Sequence, residues 1–171
     1  MASRSPAGTV PQLVEPTVRA KESFLDAHAD LREEGWIPDF PLEEVASDFA
    51  AYVRSISGVG NFWEVPVSTR WYLDGDAYLG TVVFRHRLTP ALLAAGGHVG
   101  YHVAPKHRRA GHATQMLHLA VERCHDELGI DRILVTCAEK NTPSRRVIEA
   151  NGGELENILD HECRYWIGRQ P

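Results

Sequence analysis

The residues from Val103 to Thr114 combine small and basic side chains in an order that suits phosphate binding. The stretch reads Val-Ala-Pro-Lys-His-Arg-Arg-Ala-Gly-His-Ala-Thr, with the pattern Arg-x-x-Gly-x-Ala from Arg108 to Ala113. Small residues let backbone N–H groups approach a ligand, and the positive end of a helix dipole attracts an anion. Because the stretch joins a predicted strand to a predicted long helix, we expect an anion site there. The alternative is an ordinary strand-to-helix connection with solvated arginines.

Two widespread nucleotide-binding motifs do not fit the sequence. The pattern Gly-x-x-x-x-Gly-Lys-Ser/Thr does not occur, and no Gly-x-Gly-x-x-Gly follows a predicted strand. The glycine-rich run from Gly96 to Gly100 precedes its strand. We therefore interpret that run as the end of a loop that allows close backbone packing.

Three separated segments together resemble the signature of the GNAT acyltransferase superfamily. Residues 103–114 are followed by Asn141-Thr142-Pro143-Ser144 and then by Asn151-Gly152-Gly153. The resemblance extends from about Tyr78 to Tyr165. It implies an α/β (α+β) fold: a single domain with a central mixed, mostly antiparallel, splayed sheet flanked by helices. It also implies an acetyl-CoA-dependent N-acetyltransferase that passes the acetyl group directly to a primary amine.

The same resemblance assigns an acetyl-CoA site to the strand, the loop and two helix starts. The residues that it places around the pyrophosphate are Arg108, Arg109, Ala110, Gly111, His112, Ala113 and Thr114. The residues that it places along the pantetheine arm are Tyr101, His102, Val103, Asn141 and Ser144. For the last two, capping of the following helix is an alternative role.

The general acid of the family is missing from its usual position. The family commonly has a tyrosine four positions after the residue that matches Ser144, and this chain has Ile148 there. That role is therefore vacant or reassigned, with Tyr165 as one alternative. Protonating a thiolate of pKa ~8.5 at pH 7 is worth only about 2 kcal/mol, whereas deprotonating an amine of pKa ~10.4 costs about 4.6 kcal/mol. We expect the base to matter more than the acid.

His98 is the preferred candidate for that base, with Tyr101 or His102 as alternatives, because the family often places its base on this strand. Imidazole titrates near neutral pH, which suits a general base. The competing interpretation is a histidine that is hydrogen-bonded at the start of the strand.

The histidines do not suggest a metal site. On an extended strand His98 and His102 are roughly 13 Å apart, too far to share an ion, and no His-Glu-x-x-His pattern occurs. We expect no metal.

Composition and charge favour one globular domain. The chain has 171 residues, of which 43% are hydrophobic, and a net charge of −5. We expect residues 1–11 to be a flexible N-terminus and residues 12–171 to be one domain. Residues 1–64 hold 11 acidic and 5 basic side chains, a balance of −6 that leaves +1 for the remainder. Such an acidic segment attracts a cationic amine or forms a solvated helix face, and it argues against nucleic acid as a partner.

The three cysteines lack the paired spacing of zinc or redox sites, which is typical of reduced thiols in a cytoplasmic protein. No apolar run is long enough to span a bilayer, so we expect no membrane association. The expected partners are acetyl-CoA and an amine acceptor, and a homodimer is a further option. We interpret Cys137 as a core residue and not as a nucleophile.

Hydrophobic periodicity and turn residues predict the element order. The predicted strands are Gln12–Pro16, Val67–Leu73, Tyr78–Arg87, His98–Val103, Arg132–Ala138, Leu155–Leu159 and Cys163–Ile167. The predicted helices are Val18–Glu34, Leu42–Ile56, His112–Leu128 and Pro143–Ala150.

Three functional hypotheses follow. The first is an N-acetyltransferase acting on a small amine. The second, motivated by Ile148, is a catalytically degenerate acetyl-CoA-binding sensor or partner module. The third is an enzyme that acetylates a protein N-terminus or lysine.

Overall fold

The computed structural model describes residues 9–169, so most of the N-terminal segment that we expect to be flexible lies outside the described residues. The strands are β1 (Gln12–Val14), β2 (Val59–Phe62), β3 (Val65–Asp74), β4 (Ala77–Arg85), β5 (Val99–Val103), β6 (Arg132–Ala138), β7 (Glu154–Leu159) and β8 (Glu162–Gly168). The α-helices are α1 (Lys21–Glu33), α2 (Leu42–Ser47), α3 (Phe49–Ile56), α4 (Pro90–Ala94), α5 (His112–Asp126) and α6 (Thr142–Ala150). Short 3-10 turns precede α1 and follow β5.

The strands form two sheets. The larger has the order β1-β3-β4-β5, with β2 also paired to β3, and the smaller has the order β6-β8-β7. Every strand pair within residues 9–169 is antiparallel. The predicted α+β fold with a mostly antiparallel, splayed sheet is confirmed. The splay is wide enough to separate the strands into two sheets, and no parallel ladder joins them among the described residues.

The two sheets touch just before β5. Gly97 and Val135 form an isolated bridge, and the His98 N–H donates to the Leu134 carbonyl at 2.8 Å. Gly97 makes this approach possible because a Cβ there would lie 2.3 Å from the Leu134 oxygen. Its φ of +63° also favours glycine. The sequence interpretation of this run as a site of close backbone packing is therefore confirmed.

Helix α5 packs its apolar face against the larger sheet and forms the main core. Met116, Leu117, Ala120 and Cys124 are fully buried on that face. Burial of large side chains is the dominant stabilising term of such a core. This packing holds the first turn of α5 beside the end of β5.

The N-terminal helices cover the other side of the larger sheet with an aromatic cluster that includes Phe24, Phe49, Trp71 and Tyr78. Phe24 stacks on Trp71 with ring centroids 4.6 Å apart. The helix predicted over residues 42–56 is divided at Asp48, which has φ −139° and ψ 71°. The prediction missed this break because the Asp48 carboxylate caps α3, accepting from the Ala51 N–H at 3.0 Å, and such local bonds compete with the helix.

Two short elements were not predicted. The side chains of β2 are all exposed, so the strand has no buried face to produce an alternating pattern. Helix α4 lies within the leucine- and alanine-rich connection and is one turn long, capped by Thr89. The remaining strands and helices are confirmed with shifts of at most three residues at their ends, the largest at the start of α1, where Val18–Ala20 form a 3-10 turn.

We expect Gly97→Ala to destabilise the protein much more than Gly35→Ala. Both glycines have positive φ, but nothing lies within 4 Å of a Cβ at Gly35, so that variant measures the conformational penalty alone. The clash with Leu134 should add about 1–3 kcal/mol to the free energy of unfolding lost at Gly97. Urea unfolding of both variants measures the difference, and equal losses would contradict the close contact.

Candidate active site

A cavity of about 390 Å³ lies between the two sheets, beside β5. Side chains from β4, β5, β6, β8 and α6 line it, together with Trp36 from the loop after α1. Volumes of this size are typical of small-ligand sites. The cavity therefore lies at the one place where the two sheets diverge.

The outer edge of β5 is free to bind an extended ligand. Tyr101, His102 and Val103 pair with β4 on one side only. Beyond the His98 contact, this edge has no strand partner anywhere in the described chain. Unpaired strand edges bind further extended chains through their N–H and C=O groups. Three of the five predicted pantetheine-binding residues thus lie on the free edge, and Asn141 and Ser144 lie at the start of α6.

The start of α5 has the properties of an anion site. Gly111 is the N-cap residue and has φ +80°, and the first turn contains no acidic side chain. Within residues 9–169, the N–H groups of His112, Ala113 and Thr114 have no hydrogen-bond partner. Such first-turn amides bind anions well. Ala110 and Gly111 are exposed beside them, as the loop prediction requires.

The arginines of the loop differ in their contacts. The two terminal nitrogens of Arg108 donate to the Glu34 carboxylate at 3.1 and 3.0 Å, and Lys106 pairs with Asp30 at 3.2 Å. These pairs connect the C-terminal end of α1 to the loop. Arg109 has φ +61°, is exposed and makes no ion pair within the described residues. The predicted side-chain contact with a phosphate therefore suits Arg109 better than Arg108.

Two hydroxyl groups meet beside the cavity. The Tyr101 and Ser144 hydroxyls are 2.9 Å apart and share one hydrogen bond, which leaves one O–H free to donate to a ligand. The Asn141 side chain caps α6 by accepting from the Ser144 N–H at 3.2 Å. Burial raises the pKa of Tyr101 to about 12. The Tyr101 phenol therefore stays protonated at neutral pH.

Ile148 has no hydroxyl, and the hydroxyl of Tyr165 does not line the cavity. Ile148 is fully buried in the main core. The Tyr165 hydroxyl accepts from Arg145 and donates to Glu149, both on α6, and does not line the cavity. Tyr165 therefore anchors α6 to the smaller sheet.

The structure gives His98 a contact between the sheets. Its Nδ1 accepts from the Leu134 N–H at 2.9 Å, which places the proton of the neutral ring on Nε2. The ring is buried, and burial lowers its pKa from 6.5 to about 4. Because Nδ1 is occupied and Nε2 carries a proton, the ring has no free lone pair. The base role of His98 stays a prediction, and this geometry disfavours it.

His102 lines the cavity, and contacts with Tyr78 and Trp36 fix its ring. The Tyr78 hydroxyl lies 3.0 Å from its Nε2, and Trp36 packs edge-on at 5.0 Å between centroids. Burial and the nearby His28 lower the pKa of His102 to about 3. The imidazole is therefore neutral at any working pH.

Two charged cavity residues were missed by sequence reasoning. Glu162 lies at the start of β8, and its carboxylate accepts from the Thr136 hydroxyl at 2.9 Å. Arg85 enters from β4. The sequence places the first in a turn and the second in a strand, and neither position carries a motif. Cys137 also lines the cavity, and burial raises the pKa of its thiol to about 11, which agrees with its interpretation as a core residue.

No cluster of three or more His, Cys, Asp or Glu side chains within residues 9–169 is arranged to hold a metal ion. None of the described helices is both long and apolar enough to cross a membrane.

Comparison with known proteins identifies the family. The acetyltransferase (GNAT) domain model matches residues 13–154, which is most of the chain. The protein therefore belongs to the GNAT acetyltransferase family, as the sequence resemblance predicts. Among curated proteins, no significant match was found.

Solved structures share the fold at low sequence identity. A GNAT-family acetyltransferase from Bacillus anthracis is 20% identical, with a TM-score of 0.67 and coverage of 95% of this chain and 96% of that one. The ribosomal L7/L12 alpha-N-protein acetyltransferase RimL, in complex with coenzyme A, is 16% identical, with a TM-score of 0.63 and coverage of 95% and 96%. The microcin C7 self-immunity acetyltransferase MccE, in complex with acetyl-CoA and AMP, is 15% identical, with a TM-score of 0.64 and coverage of 92% and 91%. At these identities the likeness concerns the fold.

We expect His98→Asn to reduce the loss of stability in acid. The native imidazole has a pKa of about 4 against 6.5 for the unfolded chain. The stability that the neutral ring contributes to the folded state is therefore fully present above pH 6.5. It falls by about 3 kcal/mol as the pH drops from 6.5 towards 4. Asparagine retains an acceptor for the Leu134 N–H but does not titrate. Urea unfolding at several pH values measures the change, with the exposed His161→Asn as control; parallel curves for all three proteins would contradict this role.

We expect Gly111→Val to weaken acetyl-CoA binding roughly 10- to 100-fold, because a side chain at φ +80° displaces the first-turn amides from the anion. Gly129→Val, beyond the other end of α5, is the matched control, since it also has positive φ and nothing within 4 Å. Isothermal titration calorimetry measures both affinities. Equal affinities of the two variants would show that the loop does not hold the cofactor.

Proposed function

We propose that the protein is an N-acetyltransferase that moves the acetyl group of acetyl-CoA directly to a primary amine of a small molecule, in a ternary complex. One observation carries the proposal: a single cavity joins the free edge of β5 to a carboxylate, Glu162, and the anion site at the start of α5 follows β5 along the chain. The anion site binds the pyrophosphate, the edge binds the pantetheine arm, and the carboxylate receives the amine.

Acetyl-CoA binds through residues 108–114 and the outer edge of β5. The amides of the first turn of α5 and the Arg109 side chain hold the pyrophosphate, mostly through charge-assisted hydrogen bonds. Tyr101, His102 and Val103 pair with the pantetheine arm through their backbones, and Asn141 and Ser144 lie beside it. The complexes of RimL with coenzyme A and of MccE with acetyl-CoA support this assignment.

Glu162 is the general base that we propose in place of His98. Among the titratable side chains of the cavity, the phenol and the thiol stay protonated, His102 is held by Tyr78, and Arg85 is a cation. The carboxylate orients the incoming ammonium, which must lose one proton to solvent before its nitrogen can attack. Glu162 accepts the second proton from that nitrogen as the new bond forms. The N–C bond forms, the C–S bond breaks and the electron pair remains on sulfur.

The Tyr101–Ser144 pair takes the position of the missing family tyrosine. Its one unshared O–H donates a hydrogen bond to the departing sulfur. Because the pKa of Tyr101 is raised to about 12, the phenol stabilises the thiolate without losing its proton. Protonation of the thiolate is worth only about 2 kcal/mol at pH 7, so a hydrogen bond suffices.

A protein acceptor is the second candidate, favoured by the similarity to RimL, which is named as a ribosomal-protein acetyltransferase. A volume of about 390 Å³ is within the range of small-ligand sites, and this observation favours a small acceptor. A thiol-release assay with small amines and with peptides of varied N-termini separates the two. Tight coenzyme binding without turnover on any acceptor would instead indicate a sensor.

We expect Glu162→Gln to lower kcat by roughly 10²- to 10⁴-fold with little change in acetyl-CoA affinity, because glutamine keeps the acceptor for Thr136 but cannot take a proton. Glu154→Gln, on the exposed strand β7, is the control and should retain full activity. Steady-state kinetics and calorimetry measure the two effects. Retention of wild-type kcat and pH dependence in Glu162→Gln would remove Glu162 from the mechanism.

A further inference from the structure

The Arg85 guanidinium lines the cavity without a counterion. One terminal nitrogen donates to the carbonyls of Gly96 at 2.8 Å and Gly97 at 3.3 Å. Its Nε is buried and has no hydrogen-bond partner. No carboxylate of residues 9–169 lies within 4.0 Å of its nitrogens. Two backbone carbonyls therefore hold the group in place, and it makes no direct ion pair among the described residues.

Arg85 is half-buried, and withdrawing part of a guanidinium from water is costly. Desolvation lowers the pKa of Arg85 from its ordinary value, yet a guanidinium remains charged at neutral pH. Charged groups that are withdrawn from water are normally paired, and the buried Nε of Arg85 has no partner. A group of this kind that lines a cavity is best explained by a ligand anion.

The surroundings of Arg85 position its side chain. The Trp63 ring covers one face of the guanidinium at 4.9 Å. Gly100 lies against the terminal nitrogens, where a Cβ would be 3.4 Å from the nearer one. Gly96 has φ +106°, which directs its carbonyl to Arg85 and its N–H to Thr136. The Trp63 ring therefore packs on the guanidinium, and the two glycines, which have no side chain, leave room for it at the cavity wall.

Arg85 and Glu162 belong to one hydrogen-bonded chain. The Glu162 carboxylate accepts from Thr136 at 2.9 Å, the Thr136 hydroxyl accepts from the Gly96 N–H at 2.9 Å, and the Gly96 carbonyl accepts from Arg85 at 2.8 Å. A cation and a carboxylate therefore occupy fixed positions in the same cavity. The Thr136 side chain and the backbone of Gly96 link them.

The coenzyme phosphates do not account for Arg85. Thr81 pairs with His102 near the end of β5 that continues into the loop, and Arg85 is four residues further along β4. At about 3.3 Å per residue, this places the two positions roughly 13 Å apart along the strand. The acceptor substrate is therefore the better source of an anion for Arg85.

We infer that the acceptor carries an anionic group, a carboxylate or a phosphate, on the same small molecule as its amine. Arg85 binds the anion and Glu162 receives the amine. This inference rests on the proposed function and narrows its substrate class to zwitterionic amines of amino-acid or aminoalkyl-phosphate type. A polyamine lacks the group that Arg85 needs.

Paired substrates test the inference. The twenty amino acids are compared with their carboxamides, and phosphoethanolamine with ethanolamine, in the thiol-release assay with acetyl-CoA. We expect at least one anionic member to exceed its neutral partner in kcat/KM by roughly 10- to 100-fold, since a charge-assisted hydrogen bond gives a preference of this size. The amino-acid and phosphate arms show which anion is recognised.

Arg85 variants test the residue. We expect Arg85→Met to abolish the preference by lowering kcat/KM for the anionic acceptor while that for its neutral partner stays within about threefold. Arg85→Lys should restore part of the preference. Arg87→Met is the matched control, because Arg87 is exposed and donates only to the Glu64 carbonyl among the described residues.

The outcomes separate this inference from the proposed function. Transfer that favours neutral amines, or an equal loss on both substrates in Arg85→Met, overturns the role of Arg85 and leaves the acetyltransferase in place. If Arg85→Met does not fold, the role of Arg85 is decided by two other results. These are the wild-type ratio of kcat/KM between anionic and neutral acceptors and the same ratio in Arg85→Lys. Absence of transfer to every amine and peptide overturns the proposed function together with the inference.

Discussion

The architecture depends on one close backbone contact, between Gly97 and the strand that contains Leu134. It joins the two sheets at a point where a side chain would not fit. Immediately afterwards β5 separates from β6, and its outer edge is left without a partner in the described chain. Unpaired backbone groups in a folded protein require solvent or a ligand. The contact therefore creates both the cavity and the strand edge that lines it.

The arrangement of charge around this opening is asymmetric. The start of α5 offers unpaired amides and Arg109, whereas the far end of the cavity holds Arg85 and Glu162. Two ion pairs, Lys106–Asp30 and Arg108–Glu34, connect the basic loop to α1, and the following loop places Trp36 at the cavity. Two of the carboxylates in the acidic N-terminal part thus neutralise basic side chains of the loop. Asp30 and Glu34 are therefore paired within the protein, which reduces the charge available to attract a cationic amine, one of the two alternatives that the sequence leaves open for this segment.

The order of elements could be predicted because each has a local cause. The apolar stripe of α5, the Asp-Gly turn between β3 and β4 and the apolar run of β6 are all encoded within a few residues. The predictions failed where the cause was weaker or competing. Asp48 ends α2 through its own side chain, and β2 has no buried face that would give a pattern.

The site was only partly predictable for a related reason. The loop from Lys106 to Thr114 is contiguous, so its small and basic residues were visible as a pattern. Glu162, Thr136 and Arg85 belong to different strands, and no spacing along the chain relates them. His98 shows the reverse case, since its position on the strand suggested a base while its contact with Leu134 assigns the ring to the junction.

The sequence by itself determined the fold class and the family, and it predicted the place of a phosphate loop, because these follow from short-range patterns of size, polarity and turn chemistry. The tertiary structure decided which side chains face the cavity, which arginine is free and which hydroxyls meet. Those properties arise from contacts between residues 20 to 70 or more positions apart, such as Thr136 with Glu162 and Arg108 with Glu34. Burial and pairing of such groups depend on packing in three dimensions, which one-dimensional spacing does not encode.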